Sequence, residues 1–239
     1  MRKNLSAKVG VITLCLLFVS GSTLAQSSGN FSAAYSPIAC TINSSNGSFG
    51  TTGTSATGGV CDVTGGIGPV TCGLLSAGIK TSSGSGVTLV ITPSAVTGLY
   101  TNTKVSSTTQ SATAEVGIQV CVKVDGSGAK VVGGDSNGCA IYDERFQQLS
   151  TNLFSVVTAC ASTTTDLCNI DLILSTLSAH SYNFIAQVPG GQHTVTATWS
   201  VVNANTSSSN ASIGACLGPG NVTVTQYKVF QNSGSILSF

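Results

Sequence analysis

From Ala114 to Val124 the chain alternates without interruption. Val116, Ile118, Val120, Val122 and Val124 are separated by Gly117, Gln119, Cys121 and Lys123. A side-chain period of two belongs to a strand with one face buried and the other wet. Cys121 falls on the wet face. Its partner should therefore lie in a segment passing over that face, and Cys139, at the far end of the loop DGSGAKVVGGDSNG, is the natural one.

Other segments extend the pattern. VTLVIT at 87–92 reads as a strand that Pro93 terminates. SYNFIAQVPGGQHTVTATWSVV reads as a hairpin turning at Gly190–Gly191. That register sets Val188 opposite His193, Ala186 opposite Val195, Phe184 opposite Ala197 and Tyr182 opposite Trp199, all on a core face. Thr194, Thr196, Thr198 and Ser200 then face solvent. A last strand is expected at 221–230, after a loop carrying Cys216.

Two segments point to helix instead. In YDERFQQLSTNLFSVV, the residues Tyr142, Phe146, Leu149, Leu153 and Val156 recur at spacings of four and three, the stripe of an amphipathic helix over about 143–157. Asp143 and Glu144 would sit in its first turn, where the helix dipole favours negative charge. IDLILSTLSAH at 170–180 is ambiguous between helix and strand, and is assigned here to a helix.

The fold class that follows is mainly β: an antiparallel sandwich, jelly-roll or immunoglobulin-like, with one or two short helices and loop disulfides. Residues 87–239 form its main part. Residues 26–86 are rich in Gly, Ser and Thr and are expected as long loops pinned by Cys40, Cys61 and Cys72.

The first 25 residues have the order of a secretory signal. Arg2, Lys3 and Lys8 precede an apolar run from Val9 to Val19, and small residues lead to Gln26. The run is far short of the roughly 20 residues that span a bilayer, and no stop-transfer pattern follows. Cleavage is expected after Ala25, with no integral membrane segment after processing. Cys15 follows Leu14, where a lipoprotein anchor would need a small residue, and it is read as part of the signal.

Eight cysteines then remain: Cys40, Cys61, Cys72, Cys121, Cys139, Cys160, Cys168 and Cys216. An even count in an exported chain reads as disulfides, since the compartment is oxidising. Cys160 and Cys168 flank a short polar loop that one bond could close. No Cys-x-x-Cys pair occurs to suggest zinc or a thioredoxin-like redox site.

Charge narrows the partners. Only 7% of residues are charged, and the processed chain carries six Lys/Arg against eight Asp/Glu, a formal −2. No basic patch is available for nucleic acid or an anionic membrane. The polar surface is built from hydroxyls and amides, which suits a protein that packs, adheres or assembles outside the cell. The partner classes that fit are a glycan, a cell-surface component or a second copy. The N-x-S/T triplets beyond the first 25 residues, at Asn30, Asn43, Asn46, Asn205, Asn210 and Asn221, are what such a composition produces by chance.

Catalytic patterns are sparse. Gly134-Asp135-Ser136-Asn137-Gly138 matches G-x-S-x-G, but a nucleophile elbow needs a strand running into a sharp turn and then a helix. Here the match lies in a glycine-rich loop without alternating βα units, so Ser136 stands only as the alternative nucleophile. Asp125 and Asp135 are the alternative calcium ligands, without the bidentate Glu and spacing of an EF-hand. No metal site and no cofactor are assigned. His180 and His193, the only histidines, are expected at opposite ends of the sheet, each in a rim or core role. Nothing nominates a carboxylate pair for glycoside hydrolysis. The expected function is a secreted, non-enzymatic structural or adhesive module. The alternative is a secreted hydrolase using Ser136 or a carboxylate pair.

Overall fold

A computed structural model of the chain describes residues 30–43, 45–53, 59–61, 70–82, 87–106, 111–128, 130–131, 135–150, 169–207 and 210–227. The expected signal segment and its cleavage site, Gly134, Cys160, Cys168 and residues 151–157 lie outside this set. The described chain is built of strands: β1 (Phe31–Ser36), β2 (Ala39–Ile42), β3 (Phe49–Thr52), β4 (Gly59–Cys61), β5 (Val70–Lys80), β6 (Val87–Ser106), β7 (Ser111–Val124), β8 (Ser127–Gly128), β9 (Lys130–Val131), β10 (Cys139–Ser150), β11 (Asn169–Ser181), β12 (Phe184–Val188), β13 (Gln192–Thr206) and β14 (Ala211–Tyr227). No helix occurs among the described residues, and so none is long and apolar enough to cross a membrane.

Two antiparallel sheets face each other as a sandwich. The larger runs β1-β14-β6-β12-β9, with β11 also paired to β6 and β4 to β14; the smaller runs β10-β7-β13-β5, with β8 on β7. A separate β2–β3 hairpin packs against the larger sheet. Alternation explains what is inside. Val116, Ile118, Val120 and Val122 of β7 are fully buried, and they meet Leu89 and Ile91 of β6, Phe184 of β12 and Trp199 of β13. Removing each such side chain from water stabilises the fold by about 1.5–3 kcal/mol.

Several expectations change. Pro93 does not end its strand, because β6 continues to Ser106. The Pro93 carbonyl accepts from the Tyr182 N–H, so this residue's backbone faces the break between β11 and β12. A missing N–H there removes no ladder bond. The segment 139–150 is a strand rather than the start of a helix. Its register slips between Ile141 and Asp143, making Tyr142 an extra residue opposite β7. Such a bulge reverses which residues face inward. Tyr142 is buried, and beyond it Asp143, Arg145 and Gln147 point to the opposite sheet while Phe146 faces out. Over Tyr142, Phe146 and Leu149 the apolar spacing is thus a coincidence of a strand with a polar inner face.

Residues 170–180 are also strand, the body of β11, which pairs along β6 from Asn169 to Ser181. Its apolar residues lie on both faces of a sheet edge, and Leu172, Ile173, Leu174 and Leu177 stay 36–43% exposed. Finally, β12 and β13 are not paired with each other. β12 joins β6 in one sheet and β13 joins β5 and β7 in the other, so Pro189–Gly191 is a link across the sandwich. Of the predicted core face, Phe184, Ala186, Val188, His193, Val195, Ala197 and Trp199 are buried and Tyr182 is half-buried, while Ser200, expected to face solvent, is buried as well. The residues meet across the core instead of along a ladder. Trp199 stands edge-on to Tyr142 with ring centroids 6.3 Å apart, and Tyr182 lies against Phe184.

The glycine-rich N-terminal part is more ordered than long loops would be. β1 pairs with β14 from Phe31 to Ser36, and β5 forms an edge of the smaller sheet. Cys216 lies inside β14, which begins at Ala211, ten residues before the strand expected from sequence.

Candidate functional site

The polar residues of β10 and the strands opposite form a hydrogen-bonded cluster. The Thr97 hydroxyl donates to Asp143 Oδ2 at 2.6 Å. Arg145 Nη1 donates to the Leu99 carbonyl at 3.0 Å, and its Nη2 reaches the Thr176 hydroxyl. Gln147 accepts from Thr101 and donates both to Thr103 and, at 2.8 Å, to the Leu172 carbonyl. The Tyr142 hydroxyl accepts from the Ala95 N–H and faces the carbonyls of Pro93 and His180. Burial pushes the Tyr142 phenol well above its usual range, and desolvation lowers the Arg145 guanidinium from its own. This is a seam that closes the sandwich between the edge strands β10 and β11, with polar groups satisfying one another where other positions use apolar contact.

The seam contains a hydroxyl, a carboxylate and an imidazole, since His180 Nε2 lies 3.4 Å from Asp143 Oδ2. In a nucleophilic triad the imidazole sits in the middle and takes the hydroxyl proton. Here the carboxylate is in the middle, and Thr97 donates to it directly. Thr97 is also fully buried. The order of groups therefore makes a structural brace.

His193 is the second histidine with a carboxylate beside it. Its Nδ1 lies 2.7 Å from Asp125 Oδ2 and its Nε2 2.9 Å from the Pro189 carbonyl. Both nitrogens face acceptors, so the doubly protonated ring is favoured and its pKa is raised, chiefly by the Asp125 hydrogen bond. The same bond, with one from the Thr194 N–H, lowers the Asp125 carboxyl. Asp125 adopts φ +51° and Gly126 +84°, a two-residue Asp-Gly turn between β7 and β8. The pair ties that turn to the link between the sheets. The two histidines sit in different sheets, His180 on β11 and His193 on β13, where the sequence reading set them at opposite ends of one sheet.

Ser136 is exposed in the turn before β10. Asp135 Oδ1 accepts from the N–H groups of Asn137 and Cys139, so the Asp-Ser-Asn-Gly run is an aspartate-capped turn. Ser136 lines a hollow of ≈ 490 Å³ whose described walls include Lys123, Asn137 and Thr198 but neither a histidine nor a carboxylate. Asp125 and Asp135 are each held by different partners. Among the described residues, no group of three or more His, Cys, Asp or Glu side chains converges on a metal position.

Cys121 and Cys139 are bonded, and they are direct partners in the β7–β10 register. Cys121 is half-exposed between buried Val120 and Val122, on the outer face of its strand. A second bond joins Cys40 to Cys216 and fixes the β2–β3 hairpin onto β14.

One surface remains open to a partner. Cross-strand partners point the same way, so the outer face of the larger sheet carries the rows Phe31–Thr225–Val90–Ile185, Ala33–Thr223–Thr92 and Tyr35–Asn221–Ser94. Tyr227 lies on the same face, two residues beyond Thr225. Phe31, Tyr35 and Tyr227 are 64%, 77% and 53% exposed. Tyr35 also borders a cleft of ≈ 390 Å³ with Ser94, Val96, Pro219 and Asn221. Sequence reading passed over these aromatics, although two of them four residues apart in a Ser/Ala strand already shared a face.

No protein-family model matches the chain, and no curated protein matches it either.

Proposed function

We propose that the protein is an exported, non-enzymatic structural or adhesive module that holds a neutral glycan on the outer face of its larger sheet. The observation that carries this reading is the composition of that face. Exposed Phe31, Tyr35 and Tyr227 flank Thr225, Thr223, Thr92, Asn221 and Ser94, and the one charged residue that the register brings into these rows is Lys130, at the far β9 edge. Aromatic rings present an apolar body to a sugar ring, and hydroxyls and amides match its hydroxyls without the cost of desolvating charge. The disulfides and the signal-like first segment support export to an oxidising compartment. The engagement of His193 by Asp125 and of Asp143 by buried Thr97 weighs against a hydrolase built on those groups.

The processed protein is run on a neutral glycan array, with its N-terminus sequenced and its mass measured by sedimentation. The expected start is Gln26. Binding to a neutral glycan is expected to weaken about tenfold in Tyr35→Ala, the loss of one central aromatic contact. Sedimentation reads the other arm of a structural role, self-association, for which β11 exposes Leu172, Ile173, Leu174 and Leu177 along a sheet edge. A strictly monomeric protein retained by no glycan would sink the proposal.

A further inference from the structure

The structure assigns to Cys61 and Cys72 a third disulfide, one that bridges the two sheets. Cys61 ends β4, pairs with Ala215 of β14 in the larger sheet, and is buried in the core. Cys72 belongs to β5 in the smaller sheet. In β5 the inward residues are Leu75, Ala77 and Ile79, and strict alternation would turn Cys72 outward. The register slips there: Gly73 pairs with Trp199 and Thr71 with Ser200, leaving Cys72 as the extra residue of a bulge. A bulge re-aims a side chain, and Cys72 packs against the same core cluster that contains Cys61. β4 and β5 are in contact, and the Cys72 thiol is the chief cause that raises the Cys61 thiol above its usual range.

The two bonds already formed do different work. Cys40–Cys216 fastens a hairpin to the outside of the larger sheet, and Cys121–Cys139 joins neighbours within the smaller one. A Cys61–Cys72 bond would tie β4, a three-residue edge strand, to the opposite sheet.

The chemistry is thiol–disulfide exchange with an oxidising dithiol–disulfide protein of the export compartment. Cys72 is the accessible partner, being half-buried where Cys61 is buried. Its thiolate attacks the donor's disulfide, forming a mixed disulfide and expelling one donor thiolate. The hydrogen bond to Cys72, burial and the charge on Cys72 hold the Cys61 thiol protonated. Once Cys72 is capped, the first and last of these are gone. Cys61 then loses its proton to solvent and attacks the Cys72 sulfur, expelling the second donor thiolate. Two thiols are oxidised to one disulfide, and the donor disulfide is reduced to a dithiol.

The inference rests on export to an oxidising compartment, and one measurement separates the two. The processed protein is alkylated without reductant, then cut before aspartate and after lysine or arginine. Cleavage before Asp62 and after Lys80 gives the fragment 62–80, whose single cysteine is Cys72. Hydroxylamine then cuts Asn46–Gly47, which separates Cys61, in fragment 47–61, from Cys40. The expected result is that fragment 62–80 is recovered joined to fragment 47–61, unalkylated and lighter by two hydrogens than the paired thiols. Recovery of fragment 62–80 alkylated at Cys72, or joined to any other cysteine, overturns the assignment. If Cys40–Cys216 and Cys121–Cys139 are bonded in that same digest, export stands while the third bond fails. If no bond is found at all, both fail.

Discussion

Gly98 shows how much a single missing side chain can decide. A Cβ at this position of β6 would lie 2.7 Å from Cys216 Sγ and 2.8 Å from the Phe49 ring. The sulfur is held in the Cys40–Cys216 bond, so it has little freedom to give way. Gly98→Ala is expected to cost about 1–3 kcal/mol by overpacking, read as a lower denaturation midpoint with an unchanged slope. Gly218 is similarly constrained, with φ +129° and the Ile38 carbonyl against the space a Cβ would need. The Asp125–His193 pair gives a second prediction. The raised histidine contributes stability in full below its ordinary value of 6.5, and this is lost as pH climbs through the higher folded value. The lowered aspartate contributes in full above its ordinary 3.8, and this is lost as pH falls through the lower folded value. Thermal midpoints should therefore decline above pH 6.5 more steeply in the wild type than in Asp125→Asn. The half-exposed aspartate keeps the difference small. Equal slopes would show that the pair adds nothing.

At the scale of elements, β10 is the strand whose sequence misleads most and whose contacts matter most to the seam. Its inner residues beyond the bulge are Asp143, Arg145 and Gln147, so no apolar period of two marks it as a strand. β7 supplies the room, with Ala114 opposite Gln147 and Ala112 opposite Leu149. Gln147 is buried and satisfies Thr101 and Thr103, which are themselves buried. Gln147→Ala should cost more than a lost hydrogen bond, because two hydroxyls lose their partner inside the fold. A loss of about 2–4 kcal/mol is expected from the desolvated groups. Urea denaturation measures it, and a loss under 0.5 kcal/mol, roughly the scale of an ordinary surface change, would mean water enters the seam freely. β7 is the opposite case, a strand whose sequence reads correctly because every inward residue is apolar and β-branched or small.

For the whole molecule, the Cys40–Cys216 bond spans 176 residues of chain. A cross-link over so long a loop restricts the unfolded state strongly, and removing it should cost about 2–5 kcal/mol. The double variant Cys40→Ala, Cys216→Ala is expected to fold and to lose that amount in guanidinium denaturation. Since the bond attaches only the β2–β3 hairpin, the sandwich core of β6, β7, β12 and β13 should keep its amide protection in hydrogen exchange. Loss of protection in β7 would show that the hairpin is integral to the core.

The sequence by itself determined the β class, the buried face of β7, the core face shared by β12 and β13, and the outward position of Cys121. Each is a consequence of local alternation, which depends only on how side chains project from an extended backbone. Only the tertiary structure decided which strands pair. The Gly190–Gly191 turn permits either a hairpin or a link between sheets, and the choice is made by distant partners, β6 for one strand and β5 and β7 for the other. It also decided the polar face of β10 and the inward turn of Cys72, because each follows from one extra residue in a ladder. A bulge is defined by the partner strand's register, and that register is not written in the bulged segment itself.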